Sequence, residues 1–175
     1  MSAVASARRA RVDGRRLRDT MGRFATGVAI VTVEHAGRPH GMTVNSLTSV
    51  SLDPPLILVC LARRTRTATA IQARGAFVVN ILADRQDALS NRFARPGGNE
   101  RFAGIDVRMN AHGLPELPAL GHLTCRVHDI HDGGDHHIVV AEVLETRIRE
   151  RRPLIFHRGR YDTLTGDGRD AEWYW

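Results

Sequence analysis

Thr43, Asn45, Ser46, Thr48, Ser49 and Ser51 crowd one short stretch, HGMTVNSLTSVSLDPPLILVCLA, residues 40–62. Small hydroxyl and amide side chains with unobstructed backbone N–H groups suit two roles. One is a polar edge strand and its turn; the other is a slot for a phosphate or a heteroaromatic ring. A second group stands at the start of RTRTATAIQARG, where Thr65 and Thr67 sit among Arg63, Arg64 and Arg66. Hydroxyls and amides at the positive end of a helix dipole bind anions. The same threonines also serve as plain N-caps, and the same arginines as solvated charges. A third group, His128, His131, Asp132, Asp135, His136 and His137, is dense enough to raise the question of a metal. It has no CxxC and no i,i+4 helical pair, and it reads as a hairpin turn entering a strand. There His136 and His137 point to opposite faces, so no metal site is expected.

The composition narrows the ligand class. The chain has 175 residues with net charge +6, and all of the positive charge is arginine, since lysine is absent. A basic chain suits any polyanionic ligand. Only 5% of residues are aromatic and none interleave the arginines, which speaks against a base-stacking nucleic-acid surface. No apolar run nears the ~20 residues that span a bilayer, and the arginine-bearing start lacks the apolar core of a secretory signal. Cys60 and Cys125 lie in separate apolar runs without a CxxC. That usage fits a reducing cytoplasm, with both cysteines acting as small buried hydrophobes. A hydrophobic fraction of 42% is enough for one domain with a sizeable core.

These groups need elements to position them. GRRLRDTMGRFATG places Leu17, Met21 and Phe24 at helical spacing, with Gly27 as the stop. VAIVTVEHAGRPHGMTVNSL reads as a hairpin: a strand over 28–34, a turn at HAGRP and a return strand over 40–47. PLILVCLA (55–62) has the length of a buried strand; Pro54 and Pro55 are expected ahead of it, because proline cannot donate to a central ladder. RTRTATAIQARG predicts a short helix capped by Thr65 or Thr67 and ended by Gly75. AFVVNIL predicts a strand, ADRQDALSNRFA a helix, and RPGGNERFAGI a loop. Strands follow at 123–130 and 136–148 around the turn HDGGD, and PLIFHRGRYDTL closes with one or two more.

Hairpin-joined strands without strand–helix alternation argue against a doubly wound parallel sheet. The expected fold is mainly β with peripheral helices, an antiparallel barrel of six or more strands. Residues 1–14 are expected to form a disordered basic arm, 15–164 the domain, and 165–175 a flexible tail. Trp173, Tyr174 and Trp175 at its end either dock on a neighbour or stay exposed.

In this order and spacing, MGRFATGVAIVTV, GMTVNSLTSVSLDPPLILVCLAR, TATAIQARGAFVVNIL, RFAGIDV, GLPELPAL, GDHHIVVAEV and PLIFHRGRYDTL make the chain resemble the flavin reductase family of the FMN-binding split barrel, over about residues 17–164. The resemblance implies the split-barrel fold and a cytoplasmic homodimer with flavin sites near its interface. It also implies hydride transfer from NADH or NADPH to FMN or FAD, and release of reduced flavin to a separate flavin-dependent monooxygenase. Neither nucleic acid nor a membrane is an expected partner.

By that resemblance, Met42, Thr43, Val44, Asn45 and Ser46, with Ser49, Val50 and Ser51, form the slot for the ring and ribityl chain. Ala62, Arg63, Thr65 and Thr67 take the phosphate. His136, in the GDH triplet, meets the nicotinamide, together with Arg158 and Tyr161 of the final motif; core packing is the other reading of Tyr161. Ala141 departs from the pattern, since many relatives carry glycine there, and its methyl reduces close approach. The chemistry needs no side-chain acid, base or nucleophile, so none is assigned. Two other readings stay open: a non-catalytic flavin- or haem-binding split barrel, and a basic nucleic-acid-binding barrel.

Overall fold

A half-exposed strand should alternate in polarity, yet VAIVTV is apolar at nearly every position. The computed structural model, which describes residues 12–166, covers both faces of this strand.

Helix α1 (Gly14–Met21) is capped by Asp13, whose carboxylate accepts from the Arg15 amide at 3.0 Å. A short strand β1 (Thr26–Gly27) leads into the hairpin of β2 (Ala29–His35) and β3 (Arg38–Val44). Ala36 and Gly37, at φ 53° and 74°, form its two-residue turn; left-handed backbone at both positions matches the twist of the strands. Next come β4 (Thr48–Leu52), β5 (Pro55–Ala62), helix α2 (Arg66–Arg74) and β6 (Ala76–Ile81). Helix α3 (Asp87–Ala94) and a 3-10 turn (Asn99–Phe102) precede the short pair β7 (Arg108–Met109) and β8 (Pro115–Glu116). Two long strands, β9 (Gly121–Gly133) and β10 (His136–Ile148), and the hairpin β11 (Leu154–His157) and β12 (Arg160–Thr163) complete the chain.

Seven strands form one sheet in the order β3-β2-β6-β9-β10-β5-β4, every pair antiparallel. Its two ends meet where Ser46, just past β3, bonds to the backbone of Cys60 on β5. Inside the curl, Val31 and Val33 of β2 pack with Val59, Leu61, Phe77, Val79 and Val139. Helix α2 plugs this interior with Ala68, Ala70 and Ile71. Outside it, Val28 and Ile30 pack with Leu82, Phe93, Phe102, Leu117 and Leu154, under α3 and the second sheet, β1-β11-β12. Two cores on one strand explain the unbroken apolar run.

A buried polar network fastens the 114–117 segment to the barrel. Asn80 donates to the Ile30 carbonyl at 2.8 Å and the Thr32 hydroxyl at 2.9 Å, and accepts from the Leu117 amide at 2.8 Å. Thr32 donates to the Pro115 carbonyl at 2.5 Å, and the buried Glu116 carboxylate pairs with Arg147. Every member is satisfied, the condition under which a buried polar cluster adds rigidity.

Several expectations are corrected. Helix α1 stops at Met21 with Gly22 as its cap, not at Gly27, because the chain turns so that Thr26 and Gly27 pair with Phe156 and Ile155. Its start at Gly14 also falls within the 1–14 arm. Leu17, Met21 and Phe24 are all more than half exposed. The return strand ends at Val44, and 48–52 form a strand of their own. Pro55 opens β5 instead of preceding it, at the one strand position where a missing N–H is tolerated. Cys125 is fully buried, and burial pushes its thiol up to about 12, but Cys60 is only half-buried on the opposite face from Val59 and Leu61. Residues 1–11 of the expected arm and 167–175 of the tail lie outside the described residues. Among the described residues, no helix is long and apolar enough to cross a membrane.

Candidate functional site

A cavity of about 1010 Å³ lies between α1, the break between β3 and β4, and the β11–β12 hairpin. Phe24 and Thr26 stand on one wall, Asn45, Ser46 and Thr48 on the second, and Arg158 on the third. Arg18, Arg23 and Arg158 line it against a single carboxylate, Asp19, so its field favours an anion.

Two backbone and side-chain features mark this cavity. The Thr26 hydroxyl is shut from solvent and has no hydrogen-bond partner among the described residues. Such a group costs about 1–3 kcal/mol when left unmet, so it is a ready partner for a bound molecule. Arg158 holds φ at 52°, a left-handed conformation unfavourable for a residue with a Cβ. Its amide donates to the Gly22 carbonyl at 2.8 Å, tying the hairpin turn to the end of α1.

The slot residues predicted from the sequence divide into three sets. Asn45 and Ser46 face the cavity. Ser49, Val50 and Ser51 lie on β4, an edge strand, where the register slips: Ser49 pairs with Ile57 and Ser51 with Leu56, leaving Val50 as a bulge. A bulge on an edge re-aims backbone groups toward open space. The third set is taken up by packing on both faces of β3. Val44 is buried, Met42 packs on the barrel core, and the Thr43 hydroxyl donates to the Ser90 carbonyl of α3 at 2.7 Å.

At the junction of β5 and α2, the Thr65 hydroxyl is committed within the chain. Thr65 caps α2, accepting from the Ala68 amide at 3.2 Å and donating to the Ala62 carbonyl at 2.8 Å. Thr67 is buried against the core at 2% exposure, which corrects its assignment as a hydroxyl donor to phosphate. The exposed donor here is the first-turn amide of Arg66, which a helix leaves without an internal partner. Arg63 turns away, to Asp132 at 2.6 Å and the Gly134 carbonyl at 2.8 Å. On the neighbouring strand, burial first, and then the positive neighbours His35, Arg66 and Arg101, hold the His40 imidazole below its ordinary range.

His136 is separate from the large cavity. It begins β10, half-buried, with Nδ1 2.7 Å from the Asp135 carboxylate, a bond that holds Asp135 below the usual carboxylate range. His137 faces the other way, opposite Leu61, and its Nδ1 is shut from solvent without a partner among the described residues. Tyr161 packs on the outer core: its ring lies 5.6 Å from Phe156, and its hydroxyl meets Ser90 at 2.9 Å and Asn91 at 3.2 Å. Among the described residues, no group of three or more His, Cys, Asp or Glu side chains is arranged to hold a metal. Thr26 was missed by sequence reasoning. Its only signal was a polar residue one glycine ahead of an apolar run.

Residues 21–165 match the family model described as the flavin reductase like domain. The chain is 42% identical over 150 residues to the reductase component of 4-nitrophenol 4-monooxygenase/4-nitrocatechol 2-monooxygenase of Rhodococcus opacus, covering 86% of this chain and 80% of the relative. It is 41% identical over 150 residues to an FMN reductase (NADH) of Agrobacterium fabrum, covering 85% of each. Among solved structures, it superposes with a TM-score of 0.85 and 34% identity on the NADH:FAD oxidoreductase SgcE6 of Streptomyces globisporus, in complex with NAD and FAD fragments. That match covers 90% of this chain and 96% of the other.

Proposed function

Because the chain belongs to the flavin reductase like domain family, we propose that it is an NAD(P)H:flavin oxidoreductase that reduces FMN or FAD and supplies the reduced flavin to a partner monooxygenase. When the two cofactors are bound, hydride passes from nicotinamide C4 to flavin N5. The chain's part is to hold, orient and shield.

The observation that carries this reading is the convergence of Asn45, Ser46, Thr26 and Arg158 on one arginine-lined cavity. An unmet hydroxyl, a positive field and small walls fit a polar, anionic heteroaromatic ligand. The backbone of Asn45, Ser46 and the Ser49–Val50–Ser51 bulge holds the polar ring edge. The Arg66 amide, with the side chains of Arg64 and Arg66, takes the phosphate at the start of α2. His136 orients the nicotinamide from the start of β10, and Arg158 supplies charge from the cavity rim. Rings held in register supply proximity, a contribution of up to about 7–11 kcal/mol to lowering a barrier.

The domain acts as one unit over 15–164. Leu17, Met21 and Phe24, with Val50 and Leu52 of β4, expose apolar surface that a homodimer would bury. Free Cys60 and Cys125 suit the cytoplasm, and contact with the monooxygenase is transient.

The test is steady-state oxidation of NADH and NADPH, each crossed with riboflavin, FMN and FAD. Rapid, flavin-dependent oxidation is expected, and the matrix assigns the preferred nucleotide and flavin. Flavin binding without oxidation of either nucleotide would make the chain a carrier or sensor instead.

A further inference from the structure

We propose that Arg63 is a positioning residue that fixes the His136 turn, and is not a ligand of the flavin phosphate. This rests on the reading that His136 orients the nicotinamide. Arg63 leaves the end of β5 and spends three donors on the turn between β9 and β10. Its amide donates to the Asp135 carbonyl at 3.1 Å, its Nε to the Gly134 carbonyl at 2.8 Å, and its Nη2 to the Asp132 carboxylate at 2.6 Å.

The clamp ties down the tip of a hairpin. Gly133 closes the β9–β10 ladder opposite His136, and Gly134, at φ 72°, opens a two-residue turn with Asp135. At Gly133 a Cβ would meet Ile138 Cγ1 at 2.8 Å, so a stiffer residue cannot replace the glycine. Asp132 and Asp135 are both solvent-exposed, at the end of a ladder in which Gly133 faces His136 and Asp132 faces His137. The next residue, His136, takes its ring orientation from Asp135 through the 2.7 Å bond at Nδ1. Wherever the turn goes, the imidazole goes with it.

The side-chain chemistry is specific to arginine. A planar guanidinium offers Nε and Nη2 side by side, one to a carbonyl and the other to a carboxylate. A lysine ammonium can satisfy only one of these acceptors in the same geometry. Two residues on, Thr65 caps α2. The segment joining β5 to α2 therefore fixes the phosphate side and the nicotinamide side of the proposed site together.

The experiment compares Arg63→Ala, Arg63→Lys, Asp132→Asn, His136→Ala and the Arg63→Ala/His136→Ala double variant. Each is assayed for kcat and for the KM of NADH, FMN and riboflavin. Arg63→Ala is expected to raise the KM for NADH about threefold, the scale of an exposed ion pair, with both flavin KM values unchanged. Arg63→Lys and Asp132→Asn, which disturb less of the clamp, shift the same KM by less. His136→Ala raises it too, and the double variant is no worse than the more impaired single one.

Four results overturn the proposal. A raised KM for FMN but not riboflavin in Arg63→Ala makes Arg63 a phosphate ligand. Multiplied effects in the double variant show that Arg63 acts independently of His136. If His136→Ala raises the KM for NADH and Arg63→Ala does not, the clamp alone fails. If His136→Ala leaves that KM unchanged, the role of His136 fails and the clamp's purpose goes with it.

Discussion

The Ser46 hydroxyl takes the Cys60 amide proton at 3.0 Å and gives its own to the Cys60 carbonyl at 3.1 Å. One side chain thereby pairs both backbone groups of a β5 residue and stitches the two ends of the seven-stranded order together. Ser46 also forms part of the cavity wall, so closing the barrel and shaping the cavity are a single act. Its proton is already committed, which leaves the local backbone as the donor facing a ligand.

Ser46→Ala removes both bonds and leaves the half-buried Cys60 groups unpaired. The expected loss is about 1–3 kcal/mol of stability. It is read as a lower urea midpoint with an unchanged slope, accompanied by a raised KM for flavin. A variant with wild-type stability would show that β5 closes the barrel without this clasp.

Thr26 makes the opposite prediction for stability. Thr26→Val keeps the shape and deletes a hydroxyl that has no partner, so the ligand-free protein should be as stable as wild type or more so. With ligand, the lost bond should raise the KM for flavin or nucleotide by about tenfold, and Thr26→Ser should restore it. Wild-type KM values for both in Thr26→Val would remove Thr26 from the binding site.

What the sequence disclosed was what local periodicity encodes. The β2–β3 hairpin, β5, α2 and the 136–148 strand were legible because apolar spacing and glycine turns specify them within a few residues. Long-range pairing was not. The end of α1 depends on Thr26 meeting Phe156, and the partners of Arg63 lie on a hairpin far along the chain. Thr65 was readable as a cap, but Thr67's burial depends on which face of α2 enters the barrel. Asn80 showed only as a polar residue inside an apolar strand, and its role appears once β2 and the 114–117 segment stand beside it.

His40 should give the protein a pH dependence near neutrality. Burial and the positive groups around it, His35, Arg66 and Arg101, lower its folded-state pKa below the ordinary 6.5. As pH falls, the unfolded chain therefore takes the proton first. The stabilisation is complete above the ordinary value and is lost as pH falls through it toward the lowered one. Unfolding midpoints should drop as pH falls below about 6.5, and His40→Gln should flatten that slope. Asp132 and Asp135, also lowered, by Arg63 and His136 respectively, act in a separate window, losing their contribution only below about pH 4. An unchanged slope in His40→Gln would assign the neutral-range effect to another histidine.

Arg158 sets stability against function at one residue. Its left-handed backbone, at φ 52°, is followed by Gly159 at 75° in a two-residue hairpin turn that suits glycine at both positions. Arg158→Gly should therefore stabilise the fold by about 1 kcal/mol, visible as a higher melting temperature. The same change takes a guanidinium from the rim of the cavity, so the KM for the nucleotide should rise. Arg158→Ala should raise that KM without the gain in stability, because its Cβ keeps the strain, and Arg158→Lys should retain most of the binding. A strained residue persists where its side chain has work that a relaxed one cannot do. If Arg158→Gly is more stable and binds the nucleotide as well as wild type, the arginine has no such work and the turn carries it by chance.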